Sequence, residues 1–146
     1  MKQNNYISIE FLSRSANESF ARSAVALFAS QLDPTLDELG DIKTSVSEVV
    51  TNAIVHAYPD TLGRISMRMQ IVDGHVIEVV IRDWGCGIKD IEQAREPMFT
   101  TGGEERSGMG FTIMESFMDR LTVRSVPGKG TRITMRKCIL PRPGVR

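Results

Sequence analysis

The sequence predicts an α/β two-layer sandwich, a mixed and mainly antiparallel sheet covered by helices on one face. Three observations carry this prediction. One alternating apolar/polar run precedes two helical patterns, Asp73-Gly74 separates two β-prone runs, and two further alternating runs flank Pro127-Gly128-Lys129-Gly130 near the end. The resulting order is strand, two helices, hairpin, short helix, long loop, helix, hairpin.

Tyr6 to Phe11 alternates, with Ile7, Ile9 and Phe11 on one face, and predicts the first strand. Ser15 and Glu18 have the spacing of a capping box, in which each side chain satisfies a backbone N–H of the other residue. They predict a helix with Phe20, Ala24, Leu27 and Phe28 as its apolar stripe, broken at Asp33-Pro34. Thr35 and Glu38 repeat the capping spacing and open a second helix that ends near Tyr58-Pro59-Asp60.

This second helix has two addresses. Ile42, Val46, Val49, Val50 and Ala53 share a core face at about 100° per residue, whereas Glu48, Asn52 and His56 form a polar seam at i, i+4 steps. Such a seam faces either water or a ligand, and the helix by itself does not decide between them.

Arg64 to Val72 and His75 to Arg82 predict a hairpin, because both central positions of a type I′ turn need positive φ and Asp-Gly supplies them. Ile65, Met67, Met69 and Ile71 line one face of the first strand, and Val76, Ile77, Val79, Val80 and Ile81 predict a more deeply buried second one. A short helix is expected at Asp90 to Arg95. Residues 97–110, PMFTTGGEERSGMG, have no periodic apolar face and predict a long loop of the kind that serves as a lid. Phe111 to Met118 then predicts a helix, with Ile113, Met114, Phe117 and Met118 apolar, and Arg120 to Val126 pairs with Thr131 to Lys137 in a last hairpin. Only the tail PRPGVR reads as frayed.

A chain of 146 residues with these elements and no linker predicts one domain over 1–146. Its formal net charge of 0 argues against a general binder of nucleic acid or anionic membrane. The N-terminus lacks a signal-like apolar region and no run approaches the roughly 20 apolar residues of a membrane span, so a cytoplasmic protein is expected. Cys86 and Cys138 are too isolated for a disulfide framework or a zinc site and read as thiols.

Three glycine pairs stand out: Gly85 with Gly87, Gly108 with Gly110, and Gly128 with Gly130. Singly, each marks a turn as readily as a ligand. The middle pair immediately precedes a predicted helix, where free backbone N–H groups and the helix dipole favour phosphate oxygens. No GxxxxGK followed by Ser or Thr occurs, and Gly85-Cys86-Gly87 lacks the third glycine of a dinucleotide fingerprint.

Taken in order, Glu48 with Asn52, Asp83-x-Gly85-x-Gly87, Gly108-x-Gly110 and Gly128-x-Gly130-Thr131 resemble the four nucleotide-binding boxes of the Bergerat-fold superfamily of gyrase, histidine kinases and MutL. Residues 17–58 and 106–121 look closest to its anti-sigma factor serine kinases, so the resemblance covers nearly the whole chain. It implies ATP/ADP and Mg²⁺ as cofactors, with Glu48 as general base and Asn52 as a Mg²⁺ ligand. Asp83 would accept the adenine amino group beside Thr131, with Gly85 and Gly87 in the same box and Gly87 letting the base lie against backbone. Gly108, Met109 and Gly110 would wrap the phosphates, with Arg106 and Ser107 contributing from the lid. Trp84 stands where that pattern has an acidic or small polar residue, and either covers the adenine pocket or faces outward.

The same resemblance implies partners: a sporulation sigma factor F, a STAS-type anti-anti-sigma factor phosphorylated on serine, and a second copy in a homodimer, with no direct nucleic-acid or membrane binding. Arg14, Glu18 and Arg22, at i, i+4, i+8, would serve partner binding; without the resemblance they read as a solvated ion-pair ladder. Two rival functions remain beside the kinase. One is a non-catalytic module that sequesters a partner in a nucleotide-dependent way, against which Glu48 speaks, because binding needs no general base. The other, the catalytic half of a histidine kinase, is disfavoured by the lack of a separate dimerisation segment with a phospho-acceptor histidine.

Overall fold

The computed structural model describes residues 2–88 and 111–140. The short helix expected at 90–95, the lid at 97–110 and the tail lie outside the described residues. The strands are β1 (Gln3–Leu12), β2 (Arg64–Val72), β3 (Val76–Asp83), β4 (Arg120–Val126) and β5 (Gly130–Cys138), and the helices are α1 (Ala16–Ala29), α2 (Leu36–Asn52) and α3 (Phe111–Phe117). The strands form one sheet in the order β1-β2-β3-β5-β4. Every neighbouring pair is antiparallel, the limit of the mainly antiparallel sheet expected.

Strand alternation sorts the side chains onto two faces. Ile65, Met67, Met69, Ile77, Val79, Ile81, Ile133 and Met135 point inward and are buried against the helices. Ile9 and Phe11 join this core from the edge strand β1, while Ile7 remains 47% exposed. The opposite face is solvated, as an antiparallel sheet permits.

Two expectations for α1 are corrected. Ser15 has helical backbone angles and makes no side-chain cap, so the box with Glu18 does not form. Glu18 instead accepts a hydrogen bond from Ser47 Oγ at 3.0 Å and pairs with Arg22 at 3.6 Å, so a contact across helices replaces the local one. The buried stripe is also rotated. Ala21, Val25, Phe28 and Ala29 face the core, leaving Phe20 58% and Leu27 75% exposed. The helix carries two apolar arcs, and the one containing two alanines lets it pack closely on α2.

The cap on α2 forms as expected: Thr35 Oγ1 accepts from Glu38 N–H at 3.0 Å and the Glu38 carboxylate accepts from Thr35 N–H at 2.7 Å. Ile42, Val46, Val49 and Val50 are buried at the helix–sheet interface. Gly40 sits exposed within α2 with nothing within 4 Å of an added Cβ. Gly40→Ala should therefore stabilise the protein by about 1 kcal/mol through backbone entropy alone, read as a raised urea midpoint at unchanged slope.

The β2–β3 turn has Asp73 at φ 53° and Gly74 at φ 77°, both positive as the pattern demands. His75 belongs to this turn and not to the strand, donating its N–H to Val72 O at 3.3 Å. At the far edge, Lys137 ties three elements together, with Nζ 3.4 Å from the Asp41 carboxylate and donating to Phe117 O at 2.7 Å. Among the described residues no helix is long and apolar enough to cross a membrane.

Candidate functional site

α2 does not end at Asn52 but widens into a π turn, Ala53–Ala57, closed by Tyr58 N–H donating to Ala53 O at 3.1 Å. The segment after β3 is laid against this turn. Cys86 N–H donates to Ala57 O at 3.1 Å and Cys86 Sγ to His56 O at 3.0 Å. Gly85 is required by the same contact, since a Cβ there would stand 2.3 Å from Ala57 O. Tyr58 locks the corner, accepting from Trp84 N–H at 2.7 Å and donating to Arg64 O at 2.7 Å.

Asp83 closes β3 opposite Thr131 of β5, which in turn is opposite Ser125 of β4. The Asp83 carboxylate accepts from Gly85 N–H at 3.0 Å, an Asx-type turn that aims it back toward α2. Ser125 Oγ accepts from Ile88 N–H at 2.7 Å and lies 2.8 Å from Thr131 Oγ1, so one hydroxyl holds the incoming loop and the threonine together.

These contacts enclose a recess at the end of the sheet. Asn52, His56, Asp83 and Thr131 supply its polar groups, and Ile81, Ile88, Phe111 and Ile133 its apolar walls, with Gly87 at the rim. Asn52 and Asp83 are only 7% and 8% exposed. An apolar slot with one buried carboxylate suits a flat heterocycle bearing an amino donor, and a buried neutral amide oxygen suits a hard cation.

The structure thus brings together Asn52, Asp83, Gly87 and Thr131 of the residues singled out in the sequence. Glu48 is half-buried one turn before Asn52 on the same seam, outside the recess lining. Gly85 serves the contact with the π turn. Arg106, Ser107, Gly108, Met109 and Gly110 lie outside the described residues. Trp84 faces outward, its ring stacked under the guanidiniums of Arg64 at 3.7 Å and Arg82 at 4.7 Å. Of the proposed partner trio, Glu18 and Arg22 pair on α1, whereas Arg14 precedes the helix and joins no ion pair among the described residues. The i+8 ladder is therefore cut to one pair.

Sequence reasoning missed three contributors. His56, read only as the last member of the polar seam and given no role in the site, lines the recess; Tyr58, read as a helix end, fixes the backbone beside Asp83; and Ser125 had no signal beyond its strand position.

Burial raises the Asp83 pKa above its ordinary value, opposed by the N–H groups of Gly85 and Thr131. A raised folded-state pKa means that the unfolded chain ionises first as pH rises, so this group takes stability away from the ordinary aspartate value upward. Asp83→Asn removes that loss. The stability of the variant relative to the wild type should climb as pH rises through the acid range to neutrality, in urea melts of the ligand-free proteins. A difference that stays flat or falls with pH would contradict the buried-carboxylate account.

Comparison with known proteins adds the following. A family model described as histidine kinase-like ATPase domain matches residues 11–137. The chain is 56% identical over 141 residues to the anti-sigma F factor of Caldanaerobacter subterraneus subsp. tengcongensis, covering 95% of this chain and 97% of that one. It is 56% identical over 137 residues to the anti-sigma F factor of Geobacillus kaustophilus, covering 92% and 93%. In fold it resembles the RsbU and RsbW domains of Rv1364c from Mycobacterium tuberculosis, with a TM-score of 0.66 at 15% identity over 93% of this chain and 32% of that one. The mycobacterial sensor histidine kinase MprB gives a TM-score of 0.58 at 20% identity, covering 94% and 100%.

Proposed function

Because the chain belongs to the histidine kinase-like ATPase family, alongside relatives named anti-sigma F factor, we propose that it is an ATP-dependent protein serine kinase that also acts as an anti-sigma factor. In its nucleotide-loaded state it would bind and silence a sporulation sigma factor F, and it would phosphorylate a serine of a STAS-type anti-anti-sigma factor. The observation that carries this reading is the convergence of Asn52, Asp83 and Thr131 on one recess. Asp83 accepts the adenine amino group, and Thr131, held by Ser125, flanks it. Asn52 fits as one ligand of Mg²⁺, which when bound supplies charge neutralisation between the phosphates. Glu48, one turn along α2, accepts the proton of the attacking serine hydroxyl. The recess itself is narrow, about 20 Å³.

The place of Glu48 outside the recess lining favours one rival, a module that binds nucleotide and sequesters its partner without transfer. Labelled ATP incubated with the protein and an anti-anti-sigma partner separates the two. Phosphoserine on the partner is the expected product, and tight ADP binding without it would sustain the rival. Nucleotide at about 100 times its dissociation constant should also stabilise the protein by about 2.7 kcal/mol. Absence of any thermal shift with ATP, ADP and Mg²⁺ would remove both readings.

A further inference from the structure

We propose that the open face of the sheet carries a second anion site, a groove that takes a ligand with linked phosphates, such as an inorganic or nucleoside polyphosphate. The alternation that turns Ile81, Val123 and Ile133 toward the core sends Arg82, Arg124 and Arg132 to the opposite face. The registers Arg82↔Arg132 and Arg124↔Arg132 set these three side by side on β3, β5 and β4. With Lys129 from the β4–β5 turn they line a groove of about 600 Å³.

Like charges directly opposite one another on neighbouring strands destabilise a sheet, so solvated faces ordinarily mix signs. Elsewhere on this face two arginines have carboxylate partners, Arg136 on the buried Glu78 and Arg64 3.5 Å from Glu10, although Arg120 stands opposite Arg136. The groove has no such partner among the described residues. Arg124 and Arg132 are exposed and make no ion pair with any described residue. The one carboxylate among the lining residues, Asp83, is 8% exposed and turned to Gly85 N–H. Arg82 lies over the Trp84 ring, its Cζ 4.7 Å from the ring centroid, a cation–π contact that holds the side chain at the groove.

Three cations on adjacent strands span about 10 Å at the usual strand spacing. A chain of linked phosphates therefore meets several guanidiniums in bidentate fashion, where a single phosphate meets one. The formal net charge of 0 hides this site, because composition does not report that these cations gather on one face. The arginines of the groove lie on the face of the sheet opposite Asn52 and His56, with Asp83 and Thr131 lining both the groove and the recess.

The test is titration calorimetry of the intact protein with inorganic tripolyphosphate at low ionic strength, with orthophosphate as the comparison. One-site binding of tripolyphosphate, at least ten-fold tighter than orthophosphate, is expected. It should weaken at least ten-fold in Arg124→Gln/Arg132→Gln and persist in Arg68→Gln, on the same face outside the groove, and in Asn52→Ala. Urea midpoints near wild type show that the variants remain folded. Equal affinity in the double variant would overturn the proposal, as would an equal loss in Arg68→Gln, which marks diffuse charge, or a loss confined to Asn52→Ala, which places the anion in the recess. A single-stranded oligonucleotide that displaces tripolyphosphate through the same arginines would overturn the ligand class.

Discussion

Replacing Glu48 with glutamine should lower phosphoryl transfer by roughly 10²- to 10⁴-fold while ATP affinity stays near wild type. At about 1.36 kcal/mol per decade this is about 2.7 to 5.5 kcal/mol of transition-state stabilisation. The split between binding and transfer follows from position. Glu48 does not line the recess that would receive the base, so neutralising it leaves the contacts of Asp83 and Thr131 in place. What is lost is a carboxylate able to accept a proton one helical turn from Asn52. Glutamine has nearly the same volume, so the half-buried site is not repacked. Single-turnover transfer to the partner, with nucleotide affinity measured separately, reads the two quantities. Unchanged transfer would remove Glu48 from the mechanism and leave sequestration as the better account. Asn52→Ala should behave oppositely, weakening Mg·ATP binding; identical Mg·ATP affinity in wild type and variant would reject the metal-ligand role.

How much of this was legible in the sequence depended on whether a residue's partners were local. The Asp73-Gly74 turn and the Thr35–Glu38 cap were readable because their constraints lie within a few residues, and both formed. Ser15 and Glu18 had the same local pattern, but Ser47 on α2 and Arg22 on α1 took the Glu18 carboxylate instead. The face of α1 was misread for a related reason: with two apolar arcs, the choice belongs to the surface it meets, and that surface is another helix. Strand alternation indicated which residues share a face within each strand. It did not indicate that β5 inserts between β3 and β4, and this topology brings Thr131 beside Asp83 and Arg132 between Arg82 and Arg124. The candidate site was therefore legible through family resemblance more than through periodicity, and Tyr58 and Ser125, whose roles rest on long-range hydrogen bonds, were not legible at all.

Gly130→Ala should destabilise the protein by about 3 kcal/mol or more, whereas Gly128→Ala, two residues away, should cost only about 1 kcal/mol. Both glycines have positive φ, 129° at Gly130 and 81° at Gly128, so both variants carry backbone strain. They differ in what a side chain would meet. A Cβ at Gly128 has nothing within 4 Å, but one at Gly130 would stand 2.2 Å from Asp83 O and 2.8 Å from Trp84 Cα. Those atoms are backbone and cannot swing aside, so relief requires β5 to part from β3 where Asp83 and Thr131 are paired. The cost is a large share of the roughly 5 to 15 kcal/mol that holds a domain folded. It also falls on the recess, since moving Asp83 away from Thr131 separates the groups assigned to adenine. Urea melts of both variants, followed by nucleotide binding at temperatures where each is folded, give the comparison. Equal costs at the two positions would mean that turn conformation alone demands glycine, and that the close approach of β5 to Asp83 contributes nothing.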